Sequence, residues 1–146
     1  MTRTNEIKHE FVAAIPQTLA ENTIYIAMEY ATAVHRCVCG CGNEVITPLS
    51  PTDWILQYDG VTISISPSIG NWNFPCRSHY WIRQSKVRWA EQWSEGRVAV
   101  GRAYDRSTKN EYFTGNSKAK PLGHRNPRLA KNDRGFWFWV SRWWSH

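Results

Sequence analysis

"WILQYDGVTISIS" spans residues 54–66, and its reading decides the fold class. Two short runs rich in β-branched and aromatic residues flank Asp59-Gly60, a turn signal, so the stretch reads as a β-hairpin of strands 54–58 and 61–66. Working outward, "EVITPL" (44–49) and "TIYIAMEYATAV" (23–34) have the same composition. Ile7, Phe11, Ala13 and Ile15 lie on one alternation before Pro16. On the other side, "HYWIRQ" (79–84) and "KVRWAEQW" (86–93) read as a further strand pair, or a strand followed by one helical turn. The class is therefore mainly β, a small β or α+β domain. Between the hairpin and that pair lies "SPSIGNWNFPC" (66–76), whose two prolines and glycine point to an ordered loop of the kind that carries function.

Beyond Trp93 the pattern weakens. Residues 101–134 are rich in Gly, Asn, Lys, Arg and Pro without a sustained period, and they read as loop or linker. The tail "GFWFWVSRWWSH" (135–146) is dense in aromatics, and as a short C-terminal helix it places Phe136, Trp139, Val140 and Trp143 on one face. The expected organisation is a β-rich domain over residues 1–96 and a basic, loop-rich extension over 97–146.

The whole chain has 146 residues, nine of them tryptophan, with six tyrosines and five phenylalanines, so a small core can be built from few large side chains. No apolar run approaches the roughly 20 residues of a spanning helix, which excludes a membrane-spanning reading of this kind. The start "MTRTNEIKHEF" has no apolar stretch of a secretory signal, and a cytoplasmic, bacterial-type protein is expected. The net charge of +6 is unevenly spread. Residues 97–146 hold eleven Lys/Arg against three Asp/Glu, whereas residues 1–96 hold seven against nine. A basic segment beside many tryptophans suits phosphates and stacked bases, so nucleic acid is one expected partner of the C-terminal region.

The cysteines are concentrated. "HRCVCGCGNE" (35–44) carries Cys37, Cys39 and Cys41, and "PCRSHYW" (75–81) carries Cys76. Clustered thiols in a chain without export signals read as a metal site rather than as disulfides. Zinc suits them, because it binds thiolate tetrahedrally without redox chemistry. In a straight strand the three thiols of Cys-x-Cys-x-Cys would spread over roughly 13 Å, so one ion requires a bend, and Gly40 and Gly42 permit it. Cys39, Cys41 and Cys76 are the firmest ligands. The fourth is Cys37 or His79, with Cys37 preferred because it completes a closed, all-thiolate structural site. His35 stands on the same alternation as the cysteines, as a ligand, a second base or a donor to a thiolate.

If four thiolates close the site, His79 is left free. A histidine beside a serine is the minimum for nucleophilic catalysis. Ser78 is adjacent, but neighbours on a strand face opposite ways. Ser68, in the loop, can fold back onto His79, with amides near Ile69 to Asn71 as an oxyanion cradle. Asp53, Asp59 and Glu44 are candidates to orient a histidine. A zinc-deaminase reading fails on spacing, since Glu44 follows Cys41 by three residues rather than two.

"YIAMEYATAVHRCVCGCGNEVITPLSPTDW" followed by "SISPSIGNWNFPCRSHYWI" and "VRW" resembles a family of small bacterial proteins that share a His-x-Cys-x-Cys-Gly-Cys-Gly run and a Pro-Ser-Ile…Cys-x-Ser-His motif. Members occur in bacterial ubiquitination-like (Bub) operons. The resemblance covers about residues 23–89 and not the basic region or the aromatic tail. It implies a peptidase that processes or deconjugates a ubiquitin-like protein, with Cys37, Cys39, Cys41 and Cys76 as metal-type positions and Ser68, Ser78 and His79 as the positions that carry hydrolysis. The expectation is thus a zinc-stabilised serine-type hydrolase acting on a ubiquitin-like modifier or its conjugates. The competing expectation is a non-catalytic zinc-binding module, either an adaptor for the modifier or a nucleic-acid binder.

Overall fold

A computed structural model describes residues 2–115. The strands are β1 (Lys8–Phe11), β2 (Thr23–Ala27), β3 (Thr32–Arg36), β4 (Glu44–Pro48), β5 (Ile55–Tyr58), β6 (Ile63–Gly70), β7 (His79–Arg83) and β8 (Lys86–Trp89), followed by helix α1 (Glu95–Phe113). Among the described residues they form two four-stranded sheets, ordered β1-β2-β3-β4 and β5-β6-β7-β8. All neighbours are antiparallel except β1 and β2, which run parallel.

The sheets are stitched together at two edges. Leu49 bridges Trp54 between β4 and β5, and Glu6 bridges Lys86 next to β1 and β8. Ile7 N–H donates to the Ser85 carbonyl, and Val87 N–H donates to that of Asn5. One continuous core fills the space between, with Ile24, Ile26, Ala33 and Val45 from the first sheet and Ile63, Ile65, Ile69, Tyr80, Ile82 and Val87 from the second. β2 is buried along its whole length because its other face, at Tyr25, is covered by Leu19, Val12 and Ile15. That explains why "TIYIA" reads as a continuous apolar run rather than an alternating one.

The hairpin expected at 54–66 is β5–β6. Its turn is held by Asp59, whose carboxylate accepts from Thr62 Oγ1 and from the Thr62 and Val61 amides at 2.6–2.9 Å. The Thr62 hydroxyl and amide together hold the carboxyl down at about 2. The 23–34 run is a hairpin rather than one strand, because a 3₁₀ turn at Met28–Tyr30 and Ala31 in the left-handed region reverse the chain. The expected alternation through Phe11 also differs: Ile7 is buried, while Phe11 stands exposed and packs edge-on against Tyr58.

Two further expectations are corrected. Residues 66–70 belong to β6 and are not loop, so Ser68 stands on a strand. Residues 101–113, read as linker, are the greater part of α1. Val98 is the one buried residue of α1, so the helix carries almost no apolar period for a sequence reading to find. It is defined instead by a cap, Ser94 Oγ accepting from Arg97 N–H, and by polar ties to the sheet. The compact unit holding both sheets spans Met1–Asn116 and includes α1. The aromatic tail at 135–146 lies outside the described residues. No described helix is long and apolar enough to cross a membrane.

Candidate active site and metal centre

The three clustered cysteines leave β3 and turn at once. Cys37 N–H donates to the Asn43 carbonyl and Gly40 N–H to that of Cys37, closing a tight loop. Gly40 and Gly42 have φ of 83° and 80°, the left-handed region that a Cβ resists, so the bend falls where the glycines stand. Cys76 comes from the turn before β7. The four Sγ atoms of Cys37, Cys39, Cys41 and Cys76 all lie within 4.8 Å of one another.

Tetrahedral zinc with bonds of about 2.3 Å puts its sulfurs about 3.8 Å apart. Here Cys37–Cys39, Cys41–Cys76 and Cys37–Cys76 are separated by 3.3, 3.7 and 4.0 Å. The residues present therefore fit a closed four-thiolate site, and the four cysteines could hold a metal ion. Burial pushes the Cys37 and Cys39 thiols up. At Cys41 burial acts upward too, but hydrogen bonds led by the Asn43 amide bring the thiol down to about 7. A cation held among them would let all four be thiolates together.

Ser78 lies with the thiols. Its Oγ is 3.1 Å from Cys37 Sγ and 3.6 Å from Cys76 Sγ, and it accepts from Asn71 Nδ2 at 2.8 Å. Asn71 also reaches Tyr80 Oη, which is 2.8 Å from His35 Nε2. His35 is fully buried, and burial pushes it down to about 4. It is a neutral core histidine bonded to Tyr80, and it is not among the clustered ligands.

His79 faces the other way, as alternation along β7 requires. Its Nε2 is 2.9 Å from Ser68 Oγ, and its Nδ1 is 3.0 Å from the backbone carbonyl of Glu91. A carbonyl oxygen only accepts, so Nδ1 carries the proton in the neutral ring and Nε2 is left to accept from the Ser68 hydroxyl. The contact arises from register. Ile65 pairs with Ile82 but Ile69 with Tyr80, so β6 holds two extra residues there, and the bulge contains Ser68. Gly70 pairs with His79, which makes Ser68 its diagonal neighbour across the ladder. Beyond Trp89, Ala90 N–H donates to the His79 carbonyl, and this carries Glu91 O to the Nδ1 edge of the ring.

Trp72, Trp93 and Trp81 surround the imidazole, with centroids 4.9, 5.1 and 5.5 Å away. A Cβ on Gly70 would come within 2.4 Å of Trp72 Nε1, so glycine is needed for that indole to lie where it does. Gly70→Ala is expected to displace Trp72 at a cost of about 1–3 kcal/mol. The check is a change in tryptophan fluorescence together with a lower melting temperature; an unchanged spectrum would contradict the packing argument.

Ser68 and His79 open on a cleft of about 580 Å³. One wall is aromatic, with Trp54, Trp72, Phe74 and Trp93; the other is α1, with Val98, Gly101, Arg102, Asp105 and Lys109. α1 is tied down along its length by Glu95 to Arg77 (2.5 Å), by Arg102 to Asn73 (2.7 Å) and by Lys109 to Asp53. Asp53→Asn is expected to weaken the last tie by up to about 1 kcal/mol. Amide exchange in the final turns of α1 would then accelerate up to about fivefold, and unchanged exchange would show that the pair holds nothing.

None of the carboxylates considered for orienting a histidine bonds His79, although Asp53 lines the same cleft. Asp53 bonds Lys109 and Ser50, Asp59 holds its own turn, and Glu44 is exposed opposite Arg36 on β3. Of the expected oxyanion amides, that of Asn71 is committed to the Ser78 carbonyl. Sequence reasoning missed the Glu91 carbonyl, Trp93 and all of α1. A backbone acceptor leaves no mark in the residue type, whereas Trp93 ahead of Ser94 as helix cap was a signal available in the letters.

A protein-family model described as bacterial ubiquitination-like system serine protease (BubE) matches residues 11–90. The match takes in both cysteine segments, Ser68 and His79, and it ends before α1. No curated protein and no solved structure is significantly similar to the chain.

Proposed function

The chain belongs to this family of bacterial ubiquitination-like system serine proteases, and from that premise we propose that Ser68 is its nucleophile and His79 its base. The observation that carries the reading is the 2.9 Å contact between Ser68 Oγ and His79 Nε2, in the tautomer set by the Glu91 carbonyl. Ser68 Oγ attacks a substrate carbonyl carbon and its proton passes to His79 Nε2. Collapse of the tetrahedral adduct breaks the C–N bond, and the imidazolium gives its proton to the departing amine. Water then enters by the reverse proton path and frees both Ser68 and the carboxylate product. Ser78, buried among the thiols, has no base in reach of this kind and is not the nucleophile.

The substrate is the C-terminal segment of a ubiquitin-like modifier, in a precursor or a conjugate. A cleft between an aromatic wall and a helix suits an extended chain, and β6 runs past the end of β5, since Ser66 is the last residue paired to it. An extended tail can add there as a strand. The test is incubation of the purified protein with the ubiquitin-like modifier of the same system carrying a C-terminal extension. Cleavage at the modifier's C-terminus is the expected result, and cleavage untouched by both Ser68→Ala and His79→Ala would remove the mechanism.

Zinc is the proposed ion for Cys37, Cys39, Cys41 and Cys76, where four thiolates leave no open position and its role is to hold the fold. Ser78 and Asn71 place hydrogen-bond donors toward Cys37. Ser78→Ala is expected to weaken zinc affinity about 10–100-fold, as loss of such a partner does elsewhere. Competition with a chromophoric chelator measures this, and an unchanged affinity would put Ser78 outside the metal's support.

The nucleic-acid reading has less to rest on within the described residues. Residues 97–115 carry four Lys/Arg against two Asp/Glu, so most of the basic excess belongs to residues 116–146.

A further inference from the structure

The family match ends at residue 90, yet one whole wall of the cleft is α1, which begins at Glu95. α1 thus lies outside the matched segment that holds Ser68 and His79. Val98, Gly101, Arg102, Asp105 and Lys109 recur at helical spacing and mark the face turned to the cleft. That face is not a packing face, because of these only Val98 is buried. Arg102 and Asp105 are exposed, so their charges face water or one another until a ligand enters the cleft.

Their pairing differs. Lys109 is paired directly with Asp53, which also lines the cleft. Arg102 has a neutral partner: its Nη2 donates to Asn73 Oδ1 at 2.7 Å, and no carboxylate lies within 4.0 Å of it among the described residues. Asn73 fixes one nitrogen of the guanidinium and leaves its other donors available. Held in this way, an arginine has lost part of its rotamer freedom before any ligand arrives, which favours a planar carboxylate. Asp105, one turn on, also lines the cleft and disfavours a second negative group beside the first. The arrangement selects a single carboxylate rather than an acidic run.

We propose that Arg102 is a specificity residue, and that it receives one carboxylate of the polypeptide whose carbonyl is presented to Ser68. The inference rests on the serine-protease reading of Ser68 and His79. The carboxylate can be an acidic side chain near the cleaved bond or the free C-terminus of a short extension.

The test uses the full-length protein with fluorophosphonate probes, which phosphonylate Ser68 Oγ with loss of fluoride, followed by intact mass. One pair carries a tail ending in a free carboxylate or its amide; a second pair carries Glu or Gln in an amide-capped peptide tail. The carboxylate member of at least one pair is expected to label wild-type protein about tenfold faster or more, the loss associated with one charged hydrogen bond. A preference in the first pair identifies a C-terminal carboxylate, and one in the second an acidic side chain. Arg102→Gln should bring each pair to within about twofold, Arg102→Lys should retain part of the preference, and Arg102→Glu should favour an amine-ended tail. A merely structural arginine would slow every probe alike and could not reverse the preference. Equal labelling within both pairs by wild-type protein, or a preference that survives Arg102→Gln, would overturn the proposal. Failure of every probe to label Ser68 would instead overturn the serine reading beneath it.

Discussion

Ser68→Ala and His79→Ala are each expected to lower hydrolysis by at least about 10³-fold, because a nucleophile and its base act as a unit and the loss of either removes covalent catalysis. The double variant should be little worse than either single one, which separates this account from two independent contributions. His79 is buried among three indoles and bonded at both ring nitrogens, so His79→Ala also opens a cavity. His79→Gln keeps more volume and is the better variant for kinetics. Ser68 is half-buried at the cleft, and its removal should leave the melting temperature within a few degrees of wild type. Rates on a modifier precursor, measured beside melting curves, check both statements. Activity retained within tenfold in Ser68→Ala would mean another group attacks.

Loss of the metal is expected to have the second large effect, on stability. Cys37 and Cys39 belong to the main core, while Cys41 and Cys76 pack against it, so the thiols tie β3 to the turn before β7. Structural zinc in small domains binds with an apparent ~10–16 kcal/mol, comparable to the whole stability of a domain at ~5–15 kcal/mol. Cys39→Ser or prolonged chelation should therefore release about one equivalent of zinc and lower the melting temperature by roughly 20 °C or more, at about 4 °C per kcal/mol. Activity should fall with the fold, since His79 follows Cys76 by three residues. Elemental analysis and calorimetry measure this. A metal-free protein that melts and cleaves like the wild type would contradict the structural role.

The hairpin at 54–66 was legible because Asp59 both signals the turn and builds it, and most other strands were legible from their β-branched and aromatic composition; β1, with the residues Lys-His-Glu-Phe, and the end of β6 at 66–70 were not. The cysteine cluster was legible because thiols are rare and the bend they require needs glycine, present at 40 and 42. The approach of Ser68 to His79 was legible as a contact, but for the wrong local reason. It arises from a bulge between paired strands, which Pro67 inside β6 marks, although the residue types do not give the two-residue size of the shift. The Glu91 carbonyl could not be read at all, since any residue offers one. α1 was hidden for an energetic reason: it is held by Arg77, Asn73 and Asp53 far away in sequence rather than by an apolar stripe.

The central claim is that Ser68 is an activated nucleophile, and labelling with a simple alkyl fluorophosphonate followed by peptide mapping tests it most directly. A single adduct on Ser68 is expected, lost in Ser68→Ala and slowed by at least about 10²-fold in His79→Gln, the usual scale of general-base assistance. Labelling of Ser78 instead, or labelling of Ser68 at the same rate with and without His79, would contradict it.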